Sequence, residues 1–400
     1  MAPYETDDAA DATRDEDPRA GRRKAARYAV PVAVVGVAAA TIGLVPALAA
    51  SGDPDLPRIT AKQLIEKIAK SDVQQLSGTV RINTDLGLPN LGGLENSLAS
   101  GAAKGSGDGS SADPQSQLTS LLSGTHTLRV AADGPEKQKL SLLESGSEYS
   151  LIHHGKDVWG YDSKSNAVHH STSADSGKDR KAEPPATPKD FADQALKSVD
   201  GTTSVTVDGT EQVAGRDAYK LLIKPRQSGT TVGAISIAVD AKTGMPLKFT
   251  LTPKSGGAAV LDAGFTQVSF AKPAGSTFDF TPPKGAKVTD EKQDSAARRH
   301  GRESGEGFAK GGMKGAGVLG KGWTSIATFD TGAKGALPTG SKGGDVGGFL
   351  GSLGEKVSGK FGKGTVFSTR LVNALITDDG KVYAGAVTKD ALVKAADAAK

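Results

Sequence analysis

The chain has 400 residues and contains no cysteine. This excludes disulfide bonds, thiol nucleophiles, thiolate-bound metals and a lipidated N-terminal cysteine. Only 5% of the residues are aromatic while 52 are glycine, so we expect an ordered centre with less ordered segments around it. The net charge of +4 is small for this length, and the basic residues are scattered, which argues against nucleic acid as a partner.

The sequence also lacks the common catalytic signatures. It has no G-x-S-x-G elbow, no phosphate-binding loop and no H-E-x-x-H zinc helix. Lys242-Thr243-Gly244 and Ser269-Phe270-Ala271-Lys272 match elements of penicillin-recognising enzymes, but they occur in reversed order and without Ser-Asp-Asn. We interpret both as coincidence. The sequence therefore predicts a protein that is not an enzyme and that needs no cofactor.

Two histidine pairs, His153-His154 and His169-His170, are the candidate metal ligands. They fall near the two ends of a predicted hairpin, where imidazoles could converge. Adjacent residues of a strand point to opposite faces, however, and no carboxylate lies at ligand spacing. We therefore predict no metal site.

The N-terminal region contains one long apolar run. Residues 1–27 are polar and predict a disordered cytoplasmic tail, whereas residues 28–50 carry no charge and are long enough to cross a membrane. Arginines precede this run, which places the N-terminus in the cytoplasm and the rest of the chain outside. Ala47-Leu48-Ala49 also fits a signal-peptide cleavage site, so a secreted protein cleaved near Ala49 is the alternative to a retained anchor.

Apolar residues alternate through the stretch from Gly201 to Pro283. The three clearest runs are Tyr219, Leu221 and Ile223, then Ile235, Ile237 and Val239, then Leu247, Phe249 and Leu251. A period of two predicts strands with one apolar face. Asp240–Pro246 supplies a turn between the second and third runs. The stretch therefore predicts an antiparallel meander.

Shorter alternating runs extend this sheet toward the N-terminus. They cover residues 126–131, 137–143, 148–153, 158–161 and 167–170, and their steady spacing predicts one continuous antiparallel sheet. Capping patterns at Thr60 and Thr187 predict two amphipathic helices. Residues 85–124 interrupt the pattern with a Gly/Ser tract between spaced leucines, which is typical of a disordered insertion or of a lid over an apolar mouth.

The remaining chain predicts a linker and a small α+β module. Residues 289–322 are rich in glycine and charge and predict a linker. Within residues 323–400 we predict a strand over 323–329, a long strand over 365–376, a strand over 381–387 and a helix capped by Thr388.

Four motifs of the central region resemble those of the LolA/RseB (MucB) superfamily of exported lipid- and lipoprotein-binding proteins. They are the first helix with Leu76–Val80, Pro135–Leu140, Gly155–Asp162, and the series Val213–Leu221, Val239–Leu247 and Phe280–Ala286. Lys139-Leu140 stands where the family usually has Arg-Trp. The resemblance covers about residues 60–288, and we place the domain at 56–288.

The resemblance implies a curved antiparallel sheet, an unclosed half-barrel covered by helices, whose concave apolar face accepts acyl chains. From the alternation, twelve apolar residues are predicted to line that face: Leu140, Leu142, Trp159, Tyr161, Tyr219, Leu221, Ile223, Ile235, Ile237, Leu247, Phe249 and Leu251.

Three functions follow as expectations. The first is a membrane-tethered extracytoplasmic carrier or receptor for lipid or acylated lipoprotein. The second, implied by a weaker resemblance of residues 323–400 to RseB-type proteins, is a regulator that senses envelope lipid or stress and contacts a membrane anti-sigma factor. The third is a structural envelope protein with a filled core and no ligand.

Overall fold

A computed structural model describes residues 53–87, 112, 117, 121, 123–172, 187–290, 314–330 and 354–399. The predicted cytoplasmic tail, the predicted membrane segment and most of the 85–124 insertion lie outside these ranges. No helix within the described ranges is long and apolar enough to span a bilayer. The chain divides into the units Met1–Gly52 and Asp53–Lys400, and the description below concerns the second.

The described structure is mostly β-sheet with few helices. The larger sheet has twelve strands: β1 (Gln75–Thr84), β2 (Gly124–Asp133), β3 (Lys137–Glu144), β4 (Ser147–His154), β5 (Asp157–Asp162), β6 (Ala167–Thr172), β7 (Thr203–Val213), β8 (Arg216–Pro225), β9 (Val232–Asp240), β10 (Pro246–Pro253), β11 (Leu261–Ser269) and β12 (Lys287–Asp290).

The strand order is β12-β6-β5-β4-β3-β2-β1-β11-β10-β9-β8-β7. The terminal strands β12 and β7 do not pair with each other, so the sheet is large and unclosed. Pairing is antiparallel from β6 to β7, which confirms the predicted meander, while β12 pairs with β6 in parallel. β12 and β13 (Lys314–Leu319) are strands at the two described ends of the segment predicted as a linker.

The β9–β10 hairpin shows how local chemistry sets this register. The carboxylate of Asp240 accepts hydrogen bonds from the backbone N–H groups of Lys242 (3.1 Å) and Thr243 (2.6 Å). Gly244 then takes a positive φ of 77°, a conformation that costs a residue with a Cβ about 1–2 kcal/mol. The predicted turn at 240–246 is thus confirmed, and it fixes which residues of β9 and β10 face each other.

Two capped helices lie against the sheet. Helix α1 (Ala61–Ala69) begins at Thr60, whose hydroxyl accepts from the Gln63 N–H, and the Gln63 side chain returns a bond to the Thr60 backbone. Helix α2 (Pro188–Lys197) begins at Thr187 with the same reciprocal bonding to Asp190. Both predicted helices are confirmed, and each buries one apolar stripe against β-strands.

The C-terminal module is a six-stranded antiparallel sheet with one helix. Its strands are β13, β14 (Ile326–Asp330), β15 (Glu355–Gly359), β16 (Gly362–Ser368), β17 (Asn373–Thr377) and β18 (Lys381–Gly385), and helix α3 (Lys389–Ala398) packs on it. The predicted single strand over 365–376 is wrong. The Thr369 hydroxyl accepts from the N–H groups of Leu371 and Val372, and this turn divides the run into β16 and β17.

The module is joined to the large sheet at several loops. The indole N–H of Trp323 donates to the Thr203 hydroxyl (2.8 Å), and its backbone N–H donates to the Gln227 side-chain oxygen (2.8 Å). An isolated antiparallel bridge links Thr230 to Val387. Arg370 forms an ion pair with Asp85 (2.5 Å), directly after β1. Specific hydrogen bonds and an ion pair therefore join the module to the large sheet.

Candidate functional site

One face of the large sheet is apolar across most of its strands. Leu221 pairs with Ile237, Ile237 with Phe249, Phe249 with Ala263 and Ala263 with Ile82. Residues in register on neighbouring strands point to the same side, so these five form one row. We call this side the covered face, because α1 and α2 pack on it.

The β7–β11 half of the covered face is filled by the protein's own side chains. Leu64 and Ile68 of α1 and Ala192 and Ala195 of α2 pack in one cluster with the strands, and Phe191 stacks on Phe249 with ring centroids 5.4 Å apart. Seven of the predicted lining residues are buried in this half and one is half-buried: Tyr219, Leu221, Ile223, Ile235, Ile237, Leu247 and Phe249, then Leu251.

The β1–β4 half of the covered face is contacted from a different part of the chain. Leu142 is buried here and Leu140 half-buried, in a cluster with Val80 and Leu128. Leu121 packs on the same cluster, and the backbone oxygen of Ala112 accepts from the Tyr149 hydroxyl (3.2 Å). Both residues belong to the insertion between β1 and β2. Among the described residues, Ala112 and Leu121 of the insertion therefore contact this half, and Phe191 of α2 packs against the same cluster.

Trp159 and Tyr161 do not share the covered face. Trp159 pairs with Ile152, and Ile152 pairs with Lys139. Leu140, the next residue of β3, lies on the covered face instead. Gly160 occupies the covered side of β5, where an added Cβ would lie 2.6 Å from the Ala112 oxygen. The prediction that all twelve residues line one face is wrong for these two, because the alternation in β5 places its aromatic residues on the other side.

The opposite face carries a polar row across the middle of the sheet. Gln267, Thr79, Arg129, Ser141 and Ser150 pair in succession across β11, β1, β2, β3 and β4. These strands border a cavity of ≈ 570 Å³, which we call the polar cavity. Its lining includes Thr79, Arg129, Lys139, Ser141, Glu148 and Gln267, with Thr277 from the segment after β11.

Glu148 is the acidic group of the polar cavity. The Ser150 hydroxyl donates to its carboxylate (2.7 Å), and the Ser141 and Ser150 hydroxyls lie 2.8 Å apart. Burial alone would raise the pKa of Glu148, but the serine hydrogen bonds and the charges of Lys139 and Arg129 outweigh it and lower the pKa. Glu148 is therefore an anion at neutral pH, beside two cations.

The segment after β11 crosses the opposite face before it reaches β12. Phe280 contacts Trp159 and Tyr161, with ring centroids 5.5 and 5.7 Å away. Trp159 also stacks on His170 at 3.8 Å. The two nitrogens of His170 bind Asp157 and Asp290, each at 2.9 Å. Side chains of β5 and β6 thus hold this segment at both Phe280 and Asp290.

His170 is an ion-pair partner in this geometry. Burial alone would lower its pKa, but the hydrogen bonds and charges of Asp157 and Asp290 outweigh it and raise the pKa. The two carboxylates bind opposite nitrogens of one ring, so the three side chains do not point to a common centre. Within the described ranges no three His, Asp or Glu side chains form a group that could hold a metal ion.

The polar cavity was not among the sequence predictions. The sequence indicates it only through the polar residues that alternate with apolar ones. In Thr127–Val130 the apolar Leu128 and Val130 alternate with Thr127 and Arg129. That pattern shows that Arg129 faces away from the core. It does not show which residues of four other strands lie beside it, because those neighbours depend on the pairing register.

Comparison with known proteins gives structural neighbours only. No protein-family model and no curated protein sequence matches the chain. Among solved structures it resembles the Pseudomonas aeruginosa MucA/MucB complex, at 16% identity and a TM-score of 0.37 over 84% of this chain and 96% of that chain.

Two further neighbours cover a smaller share of this chain. A LolA superfamily protein from Nitrosomonas europaea is 12% identical, with a TM-score of 0.22 over 56% of this chain and 99% of that one. An uncharacterised conserved protein from Thermus thermophilus is 13% identical, with a TM-score of 0.32 over 58% and 99%.

Proposed function

We propose that the chain is a non-enzymatic binding protein whose covered face, in its β1–β4 half, accepts an acyl chain of a lipid or an acylated lipoprotein. The observation that carries this proposal is the difference between the two halves of one apolar face. Helices α1 and α2 fill the β7–β11 half, whereas the contacts described on the β1–β4 half include Ala112 and Leu121 of the insertion, with Phe191 of α2 against the same cluster.

The free energy of such binding comes from apolar burial. Each methylene group moved from water into an apolar site contributes about 0.8 kcal/mol, so about ten buried methylenes contribute roughly 8 kcal/mol before the costs of association. Leu128, Leu140, Leu142 and Leu151 present aliphatic surface on this half of the face. Binding of this kind needs no catalytic group.

A matched pair of variants on β3 tests the proposal. Leu140 and Leu143 are both half-buried leucines of one strand, but Leu140 lies on the covered face and Leu143 pairs with Thr127 on the opposite face. We expect native mass spectrometry of the membrane-purified chain to show bound lipid, which Leu140→Asp loses and Leu143→Asp retains. The proposal fails if the wild-type chain carries no lipid, or if both variants lose it to the same extent.

We further propose that residues 28–50 hold the chain in the cytoplasmic membrane with residues 53–400 outside. The support is the uncharged run with arginines before it. Because the chain has no cysteine, a single introduced thiol reports its location. In intact cells, an impermeant maleimide should label Lys254→Cys, an exposed position, and should label Ala12→Cys only after permeabilisation. Equal labelling of both in intact cells would contradict this orientation.

A second candidate function is a regulator that contacts a membrane anti-sigma factor. It is favoured by the contacts around the end of β1. The Thr84 hydroxyl donates to the Leu121 backbone oxygen (3.0 Å), and the next residue, Asp85, binds Arg370 of the C-terminal module. A ligand that displaces Leu121 would act next to the module. Deleting residues 323–400 should then abolish capture of a membrane partner while lipid binding persists; unchanged capture would exclude this role for the module.

A further inference from the structure

We propose that the polar cavity is a second binding site, which takes the phosphate ester of a small polyol, such as a glycerol phosphate. The site lies on the face opposite the acyl-chain site and does not depend on it. The site combines two cations, one carboxylate with two serines, and the volume between them.

The two cations of the polar cavity lie near Glu148, whose pKa their charges lower. Arg129 and Lys139 both line the polar cavity, and neither side chain makes a hydrogen bond or an ion pair with the residues that the structure describes. Arg129 pairs with Ser141 across β2 and β3, and Lys139 lies two positions from Ser141 on the same face. Diagonal neighbours of this kind are about 7–8 Å apart, within reach of two long side chains that share one anion.

A phosphate group suits this pair of cations. A guanidinium presents paired N–H donors to two phosphate oxygens, while an ammonium adds a compact point charge. A phosphate monoester carries nearly two negative charges at neutral pH, and the two cations beside the ionised Glu148 compensate about one of them. Lys139 is half-buried and Arg129 is exposed, so the anion would enter from solvent.

The other side of the cavity suits hydroxyl groups. Glu148 is held ionised and uses one oxygen to accept from Ser150, and a carboxylate has about four acceptor positions, so it can also accept from a ligand hydroxyl. Ser141 and Ser150 are buried and hydrogen-bonded to each other, which fixes their hydroxyls in place. A free carboxylate beside the cations disfavours a ligand that is anionic throughout and favours one with a phosphate at one end and hydroxyls at the other.

The size of the cavity agrees with a small molecule. Its volume of ≈ 570 Å³ lies within the range of about 300–1,000 Å³ that is usual for small-molecule sites. Thr277 forms part of the wall, in a segment that is anchored by the fully buried Phe278 next to it. The site is thus built from five strands and one anchored crossing segment rather than from one mobile loop.

Calorimetry on the full-length chain in non-ionic detergent tests the site with defined probes: glycerol 3-phosphate, inorganic phosphate and glycerol, at low ionic strength. We expect glycerol 3-phosphate to bind more tightly than phosphate, and glycerol not to bind. Loss of one charge-assisted contact weakens binding roughly tenfold or more, so Arg129→Gln and Lys139→Gln should each raise the Kd by about that factor. Glu148→Gln should reduce the preference for glycerol 3-phosphate over phosphate.

The matched control is Arg81→Gln. Arg81 is an exposed arginine of β1 on the same face, two positions from Thr79, and it is not part of the cavity lining. We expect it to leave the Kd within about twofold. The inference is overturned if glycerol 3-phosphate does not bind at millimolar concentration, or if Arg81→Gln weakens binding as much as Arg129→Gln, which would indicate nonspecific attraction by charge.

Short-chain phosphatidylglycerol added to the same micelles identifies the source of the ligand. Binding that Arg129→Gln weakens assigns the site to a lipid headgroup. Binding of glycerol 3-phosphate without binding of phosphatidylglycerol assigns it to a soluble phosphate ester. Since the acyl-chain site lies on the other face, Leu140→Asp should leave binding of glycerol 3-phosphate unchanged, so failure of one site is distinguishable from failure of the other.

Discussion

At the scale of single residues, Asp240 joins a cation and a turn. It is 1% exposed, yet it forms an ion pair with Arg216 (2.5 Å) and caps the β9–β10 turn through Lys242 and Thr243. Burial alone would raise its pKa, but the bond from Arg216 and the turn hydrogen bonds outweigh it and lower the pKa. Arg216 also lies over the Phe270 ring at 4.5 Å, so one carboxylate fixes a turn and a cation together.

Asp240→Ala should therefore lower the free energy of unfolding by about 3–5 kcal/mol, because it leaves a partly buried guanidinium without its partner. The control is Asp217→Ala, an exposed aspartate of the neighbouring strand. Urea unfolding followed by circular dichroism gives both values. If Asp240→Ala lowers the free energy of unfolding by less than about 1 kcal/mol, water replaces Asp240 as the partner of Arg216.

The contacts of His170 predict a pH dependence. The folded-state pKa is raised, so the stabilisation is fully present below the unfolded-state pKa of about 6.5 and is lost as the pH rises through the folded-state pKa. His170→Asn should lower Tm at pH 5.5 and have a smaller effect at pH 9. His126→Asn, which removes a ring that bonds the Ser123 backbone oxygen, is the control. An effect of His170→Asn that is equal at both pH values would contradict the ion-pair argument.

At the scale of secondary structure, α1 and the β9–β10 hairpin pack closely against each other at Gly244. A Cβ added at Gly244 would lie 2.5 Å from the backbone oxygen of Lys67, near the end of α1. Gly215, in the β7–β8 hairpin, has a similar φ of 74° but nothing within 4 Å of its added Cβ. The two positions therefore share the backbone strain and differ in the contact with the helix.

Gly215→Ala should cost about 1–2 kcal/mol, the usual penalty for a left-handed residue with a Cβ. Gly244→Ala should cost more by at least about 1 kcal/mol, because the helix must also move away from the hairpin. Chemical denaturation of both variants measures the difference. Equal losses would mean that α1 shifts without cost, and that the packing of the helix on the covered face is loose.

The alternation of apolar residues was sufficient to predict most strands, because burial of one face imposes a period of two whatever the pairing partners are. The capped helices were predictable for a similar local reason, since Thr60 and Thr187 each form their capping bonds within four residues. Strand β12 was not predictable: its four residues, Lys287–Asp290, show no period, and its pairing with β6 depends on distant contacts such as that between His170 and Asp290.

The candidate sites were predictable only in part. Leu140 and Leu142 followed from alternation, but their separation from the helix-filled half did not, because it depends on where α1 and α2 dock. The aromatic residues of β5 were assigned to the covered face from alternation alone, which does not show to which side of the sheet the apolar side chains of a strand point. Phe280 supplies them with an apolar contact on the opposite face instead.

At the scale of the whole molecule, Gln227 joins the two sheets. Its side-chain oxygen accepts from the Trp323 backbone N–H, and its side-chain N–H₂ donates to the Lys321 oxygen (3.2 Å). The chain has only two tryptophans, so in a Trp159→Phe background the fluorescence of Trp323 reports this interface alone.

In that background, Gln227→Ala should shift Trp323 emission to longer wavelength, because the indole gains access to water when its anchoring bonds are lost. Arg226→Ala, an exposed neighbour, should leave the emission unchanged. Identical spectra for Gln227→Ala and the parent would mean that the bridge at Thr230 and the Arg370 ion pair are enough to keep the module in place.

Strand β1 lies in the middle of the large sheet although it is the first of the described strands, pairing with β2 on one side and with β11 on the other. During synthesis, β1 is therefore made long before its neighbour β11, which ends at Ser269. Until β11 is made, the backbone N–H and C=O groups on one edge of β1 in the nascent chain have no pairing strand. Such an edge can pair with the wrong strand. We expect slow folding, as is usual when sequence-distant strands must meet, and a dependence on chaperones during synthesis that a circular permutant beginning at β11 would relieve.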